Sequence, residues 1–232
     1  VHKVHDVPWE RIVTIPRGVD LALFDPVVVQ PSRITKIRDR WGLRDDKRLI
    51  LLLPGRLTEW KGHIVALQAM AELSPDERAR LVLVFMGDAQ GRDAYRRKIE
   101  ETAAALQLDG QVVLAPHEAD MPAAYLASGI VLAPSTRPEA FGRVAAEASA
   151  MGRPVIVTDH GGGRETVVEG MTGARVEPGD PRALAGAIRV MLDIGESARA
   201  GMGKAGQAHV REHFSKRGLQ AATLGVYKRL IG

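Results

Sequence analysis

Between Ile130 and Thr166 the sequence leaves few architectures open. Ile130-Val131-Leu132-Ala133 is an apolar run of strand length, and Pro134-Ser135-Thr136-Arg137-Pro138 then prevents either a strand or a helix from continuing. From Phe141 or Gly142 to Met151 the residues are small and helix-permissive, until Gly152 and Pro154 stop them. Val155, Ile156 and Val157 begin a second apolar run, which ends in Gly161-Gly162-Gly163-Arg164-Glu165. Strand, loop, helix, strand and glycine loop is the repeating unit of a parallel sheet. Ligands of such sheets sit at the carboxyl ends of the strands, where both of these loops emerge. The chemistry is expected here.

The same alternation extends on either side. Leu49 to Leu53, Leu81 to Met86, Val112 to Leu114 and Gly173 to Val176 read as further strands, the first of them apolar enough to be buried on both faces. Helices are predicted over 63–73, 93–106, 121–127 and 181–192, the last with Asp180 as N-cap and Pro181 in its first turn. A charged helix over 32–41 precedes them, a brief one over 166–169 follows the glycine loop, and two more cover 197–212 and 218–230. Ile12 to Ile15 reads as a short β-like piece within an otherwise broken lead. The whole predicts an α/β protein: one doubly wound, Rossmann-like domain on a parallel sheet of about six strands, with extra C-terminal helices. Residues 1–20 read as a lead-in arriving from elsewhere, 21–195 as the ligand-binding domain, and 196–232 as terminal helices that flank it.

Composition removes several classes of function. The 232 residues include no cysteine, so disulfides and thiolate metal sites are excluded. The histidines are scattered without a metal-binding spacing, and no metal is expected. No apolar run approaches the ~18 residues of a membrane span. The net charge is +4, but the basic residues alternate with acids, as in Arg38-Asp39-Arg40, and are not interleaved with aromatics. That pattern argues against nucleic acid as a partner. A phosphate-binding G-x-x-x-x-G-K-[ST] loop, a dinucleotide-type G-x-G-x-x-G after the first strand, and a Gly-x-Ser-x-Gly elbow are all missing.

What remains is a set of charged groups on loops at one edge of the sheet. Arg56 and Lys61 flank the loop after the first strand, beside Gly55 and Gly62, where a pair of cations can clamp a phosphate chain. Charged residues also decorate such loops without binding anything. Glu139 precedes the free amides of Phe141, Gly142 and Arg143 at a helix start, which favours an anion; alternatively the acid only stabilises the helix end. Glu147 lies within that helix among Val144, Ala145, Ala148 and Ala150. A lone acid among small apolar residues asks for a partner, and ribose hydroxyls are one candidate.

Taken in order, these residues resemble the C-terminal, donor-binding half of a retaining GT-B glycosyltransferase of the "group one" type. The matching residues are Gly55-Arg56-Leu57 with Lys61-Gly62, Gly87-Asp88, the block from Pro134 to Gly142, the Glu139-x7-Glu147 pair, and Met151 to Ile156. Gly161-Gly162 with Glu165, Gly170-x-x-Gly173, and the lead from Ile12 to Asp20 complete it. The resemblance implies that Arg56 and Lys61 bind the donor diphosphate and stabilise the departing nucleotide. Glu139 would contact hydroxyls of the donor sugar, Glu147 would hold the ribose, and the amides of Phe141, Gly142 and Arg143 would lie near sugar and phosphate. The loop from Pro116 to Glu118 would line the base, with His117 where the family often has glycine. Arg56, Lys61 and Glu139 are thus the catalytic candidates.

The implied reaction is metal-independent transfer of a hexose-type sugar from a nucleoside-diphosphate sugar to a glycan or lipid-linked acceptor, without a cofactor. The acceptor site would belong to an N-terminal domain not found in these residues, toward which the helices of 196–232 would pack back with 1–20 as the interdomain segment, so this chain alone is expected to be inactive. A cytoplasmic location, with peripheral membrane association of the full enzyme, is the matching expectation. The competing readings are a nucleotide-sugar epimerase, a phosphorylase-like enzyme of the same architecture, or a non-catalytic nucleotide-sugar-binding module.

Overall fold

The computed structural model describes residues 7–91 and 93–231; the first six residues of the predicted lead-in lie outside the described residues. Six strands form one sheet: β1 (Leu49–Pro54), β2 (Leu81–Met86), β3 (Val112–Ala115), β4 (Ile130–Ala133), β5 (Val155–Thr158) and β6 (Gly173–Val176). Their order is β3-β2-β1-β4-β5-β6, and every pairing is parallel. The fold is α/β and doubly wound, Rossmann-like, as the alternation predicts. The order reverses between β1 and β4, so the loops leaving these two strands part to opposite faces and open a crevice at their carboxyl ends.

Alternate residues of each strand feed two separate cores. Leu51 and Leu53 of β1, with Leu83 and Phe85 of β2, pack under α2 (His63–Ala71), α4 (Asp93–Ala105) and α8 (Pro181–Asp193). Ile50 and Leu52, with Val82 and Val84, pack under α1 (Pro31–Arg40), α5 (Met121–Ala127), α6 (Arg143–Ala150) and α9 (Gly195–His213). Both faces being covered, β2 is buried at all of its positions, which is why it reads as an unbroken apolar run. Leu52→Ala in such a close-packed layer costs about 2–5 kcal/mol.

Three local expectations need correction. Ile12 to Ile15 is in no strand: Trp9–Arg11 is a single 3-10 turn, and among the described residues the first β-bridge is at Val19, with Ser215. No neighbouring strand edge is offered to Ile12–Ile15, so β-propensity there has nothing to pair with. The brief helix after the glycine loop is α7 (Gly163–Thr166), ending where 166–169 was predicted to begin; Val167 is already extended. A short helix, α3 (Pro75–Ala79), was not anticipated, although Ser74 and Glu77 form a complete capping box around it.

The last two helices behave differently. α9 lies against α6 and contributes Val210 to the core. α10 (Lys216–Ile231) buries no residue, and Leu224, Tyr227, Leu230 and Ile231 stand exposed along it. Where α10 begins, the chain's entry and exit are joined. Val19 N donates to Phe214 O (2.7 Å), Lys216 N donates to Val19 O (2.8 Å), and Lys216 Nζ pairs with Asp20 (2.9 Å). Among the described residues no helix is long and apolar enough to cross a membrane.

Candidate functional site

A groove of about 400 Å³ opens at the carboxyl edge, over the β1/β4 crevice. Gly55 and Arg56 reach it from the loop after β1, and His117 from the loop after β3. Arg143 and Glu147 come from the first two turns of α6. Sequence positions far apart are thereby gathered on one wall. Arg56, His117 and Arg143 are exposed, and neither arginine forms an ion pair among the described residues. A second cavity of about 210 Å³ adjoins it, sharing Phe24, Arg143 and Glu147 and adding Phe141 and the lead-in residues Arg17 to Asp20.

Glu147 is held inside the groove wall. Its Oε2 accepts a hydrogen bond from Tyr125 Oη (3.0 Å), a fully buried phenol on α5. Burial pushes the Glu147 carboxyl above its ordinary value, while the Tyr125 hydrogen bond and the charge of Arg143 act against that rise. Burial likewise pushes the Tyr125 phenol well above its ordinary value, reinforced by the Glu147 charge. Tyr125 is therefore the donor and stays protonated. Of the four lone-pair positions of this carboxylate, Tyr125 uses one and leaves Oε1 for a further donor. The sequence asked for a partner to Glu147, and Tyr125 supplies it; nothing in the spacing of α5 singled it out.

Glu139 and Lys61 do not line this groove; they lie beside it and bind each other, Lys61 Nζ to Glu139 Oε1 at 2.7 Å. Their side chains are only 13% and 18% exposed, so the pair is largely desolvated. Ser135 Oγ donates to the same Glu139 oxygen, and the Ser135 carbonyl accepts from Thr158 Oγ1 (2.9 Å) and contacts His160 Nε2 (2.8 Å). The ammonium of Lys61 also sits 4.4 Å from the centre of the Trp60 ring. Both interactions taken at Oε1 leave Glu139 Oε2 open. The sequence reading placed Arg56 and Lys61 together as one clamp; the structure brings Lys61 to Glu139 and leaves Arg56 to the groove. Ser135, which the sequence showed only as part of a strand-breaking loop, is the residue that anchors Glu139.

Glycines allow these loops to meet. Gly62 has φ +81°, and a Cβ there would lie 2.1 Å from the Pro134 carbonyl oxygen, so the Lys61 loop and the Glu139 loop touch through bare backbone. Gly162 does the same from behind: its N–H donates to Glu139 O (2.7 Å), and a Cβ would fall 2.2 Å from Phe141 C. The triple glycine is thus a seat for the segment 139–141. Gly142, at φ +72°, is the N-cap of α6 and offers no side-chain oxygen to the helix's first amides. Together with the positive end of the helix this favours an anion. Of the predicted base-lining loop, His117 faces the groove, whereas Glu118 is buried and paired with Arg40 (2.7 Å). His63, at the start of α2 directly after the Lys61 loop, is fully buried between Phe85 and Tyr95; desolvation lowers its pKa from 6.5 to about 4, so it is neutral. No group of metal-ligating side chains occurs among the described residues.

The family described as "Glycosyl transferases group 1" matches residues 34–209. A D-inositol 3-phosphate glycosyltransferase of Xylanimonas cellulosilytica is 35% identical over 229 residues, covering 97% of this chain and 53% of that protein. The chain therefore spans about half the length of the curated relative it matches. Among solved structures, a glycosyltransferase from Rickettsia africae superposes with a TM-score of 0.91 at 29% identity, covering 99% of this chain and 60% of its own. The Anabaena protein HepE, solved in complex with UDP and glucose, gives 0.84 at 27% identity, covering 95% of this chain and 58% of its own.

Proposed function

Because this chain belongs to the group 1 glycosyl transferases, we propose that its carboxyl-edge groove binds the nucleoside-diphosphate sugar donor of a GT-B enzyme. The observation that carries this reading is the convergence, on one groove, of Arg56, Arg143, an α6 N-terminus without a side-chain cap, and a Glu147 carboxylate with one oxygen left open. Two cations and a helix N-terminus suit a diphosphate; a desolvated carboxylate beside them suits vicinal hydroxyls. UDP is the first base to test, since HepE was solved with it.

In this reading Arg56 and Lys61 counter the charge of the departing nucleotide, aided by the amides of Phe141, Gly142 and Arg143. Charge-assisted hydrogen bonds of this kind contribute roughly 1.5–3 kcal/mol each. Lys61 begins paired to Glu139, so bound diphosphate competes with Glu139 for the ammonium. Glu139 Oε2 is left to accept from hydroxyls of the sugar, and Glu147 Oε1 from the ribose. Gly55 lets the backbone approach the diphosphate, and His117 with Pro116 borders the base. No metal or cofactor takes part, the sugar is of hexose type, and transfer retains the anomeric configuration.

The relatives are about twice as long as this chain. A second unit, with the exposed face of α10 directed at it, would bind a glycan or lipid-linked acceptor and close over the donor. Positioning accounts for as much as ~7–11 kcal/mol of such a barrier, so these 232 residues alone would bind donor without useful transfer. The full enzyme would work in the cytoplasm, peripherally at a membrane.

Calorimetry with UDP, GDP and ADP, with and without their sugars and with and without magnesium, tests the proposal. Tight binding of one diphosphate, weaker binding of its monophosphate, and no magnesium requirement are expected. Equal affinity for mono- and diphosphate, or no binding unless magnesium is added, would overturn it.

A further inference from the structure

A concavity larger than the donor groove lies at the other end of the sheet. A groove of about 600 Å³ runs along the amino edge, floored by Leu49 and Ile50 of β1 and by the turns that enter β4 and β5. Six cationic side chains line it: Arg38 from α1, Lys47 and Arg48 from the segment before β1, Arg153 before β5, and Arg199 and Lys204 from α9. Among the described residues the only carboxylate lining it is Glu196, at the exposed start of α9. Asp46, close by, is engaged by Arg48 at 2.6 Å.

Helix ends account for part of this charge. The C-termini of α5 and α8 point to this edge, and carbonyl oxygens there accept from the arginines: Leu126 O from Arg153 Nη2 (3.0 Å) and Met191 O from Arg199 Nη1 (2.7 Å). Arg38 likewise donates from Nε to Leu43 O (3.1 Å). A carbonyl satisfies one of the five guanidinium donors and carries no net charge. The Nε of Arg153 is buried with no acceptor, and neither Arg153 nor Arg199 has an ion pair among the described residues. Desolvation lowers the pKa of both guanidiniums. Lys47 and Lys204 stand exposed, likewise without an acidic partner among the described residues. A cation as desolvated as Arg153 is ordinarily paired, and among the described residues it meets a carbonyl oxygen and no carboxylate, whereas Arg199 also feels the charge of Glu196.

We propose that the amino-edge groove is a second anion site, which takes a small, multiply charged phosphoanion such as a pyrophosphate or a sugar phosphate. The volume suits a small molecule, and guanidinium forks match phosphate oxygens two at a time. The lining holds no aromatic residue on which a base of single-stranded nucleic acid would stack. Its concave shape favours a free ligand over a bilayer surface. The site lies across the full length of the strands from the donor groove and shares no residue with it.

The test is calorimetry of the whole chain with pyrophosphate, on the parent, on Lys47→Glu/Lys204→Glu and on Arg56→Ala. The two lysine side chains are exposed and form no ion pair among the described residues, so the double variant should melt like the parent, which circular dichroism checks. Pyrophosphate binding weakened ~10-fold or more by the double reversal, yet retained in Arg56→Ala, is the expected result. Binding lost in Arg56→Ala and unchanged in the double variant would place all phosphate affinity in the donor groove and overturn the proposal. So would no detectable binding by the parent. Sedimentation with anionic phosphatidylglycerol vesicles forms a second arm. Vesicle binding that depends on the two lysines, in a protein that ignores free pyrophosphate, would assign the groove to a membrane surface instead.

Discussion

Glu139 and Glu147 border the same crevice on opposite kinds of support. Glu139 sits on a loop and is held by a cation, Lys61, brought from the loop after a different strand, with Ser135 beneath. Glu147 sits inside a helix and is held by a neutral phenol from an adjacent helix. The first arrangement depends on two loops meeting correctly; the second depends on helix packing alone. A cation neutralises its carboxylate outright, whereas a phenol leaves the charge in place and merely solvates it. Glu147 thus remains short of donors, its pKa raised by burial, and gains most when a ligand brings hydroxyls.

Changes to the loop support should be the more damaging. Gly62→Ala combines a left-handed backbone with a Cβ 2.1 Å from the Pro134 carbonyl oxygen. It should cost about 4 kcal/mol and displace Lys61 from Glu139, read by denaturant melts and by loss of nucleotide affinity. An intact melt would show that the two loops do not need to touch.

Next in size is an effect of pH through His63, which follows the Lys61 loop. Its folded pKa of about 4 lies below the ordinary 6.5, so the unfolded chain binds the extra proton between these values. The stability this residue contributes is complete above about 6.5 and is lost as pH falls toward about 4, by roughly 3 kcal/mol. Melts of His63→Leu should show a flatter acid slope than the parent; identical slopes would reject the assignment.

Lys61→Met should then destabilise by about 2 kcal/mol, because it strands a largely buried carboxylate. Lys61→Met combined with Glu139→Gln should recover much of that loss, and strictly additive effects would mean the pair is not coupled.

Tyr125→Phe should have the smallest effect, about 1 kcal/mol on stability. Its sharper consequence concerns pH. The phenol hydrogen bond lowers the Glu147 pKa, so removing it raises that pKa further. If ionised Glu147 grips ribose, affinity is present above this pKa and lost as pH falls through it. The variant should therefore lose nucleotide at a higher pH than the parent does. Coincident pH profiles would separate Glu147 from the ligand.

The contrast also explains what could be read from the sequence. The strands announce themselves because a parallel sheet covered on both faces needs unbroken apolar runs, and Leu49 to Leu53 or Leu81 to Met86 can be little else. Glu147 was conspicuous as an acid among alanines. Its partner was not, since Tyr125 lies on another helix and sequence spacing does not report which helices touch. The pairing of Lys61 with Glu139 was hidden for the same reason, across the β1/β4 junction. The glycines at 161–163 were legible as a loop between a strand and a helix, but not as the seat of the backbone of 139–141. Ser74 and Glu77 did signal a helix start, and that local cue was overlooked for want of an apolar stripe to follow it.

The joined entry and exit at Val19, Phe214 and Lys216 bear on how the domain would move. Two backbone segments tied by hydrogen bonds resist stretching along their length far better than they resist twisting about each other. A body attached through both would swing as a door does on a hinge pin, along one arc, and would not wander as on a tether. Because Val19 and Ser215 pair in parallel, pulling the two ends of the chain apart would load the bridge and its flanking bonds in shear, together rather than one by one.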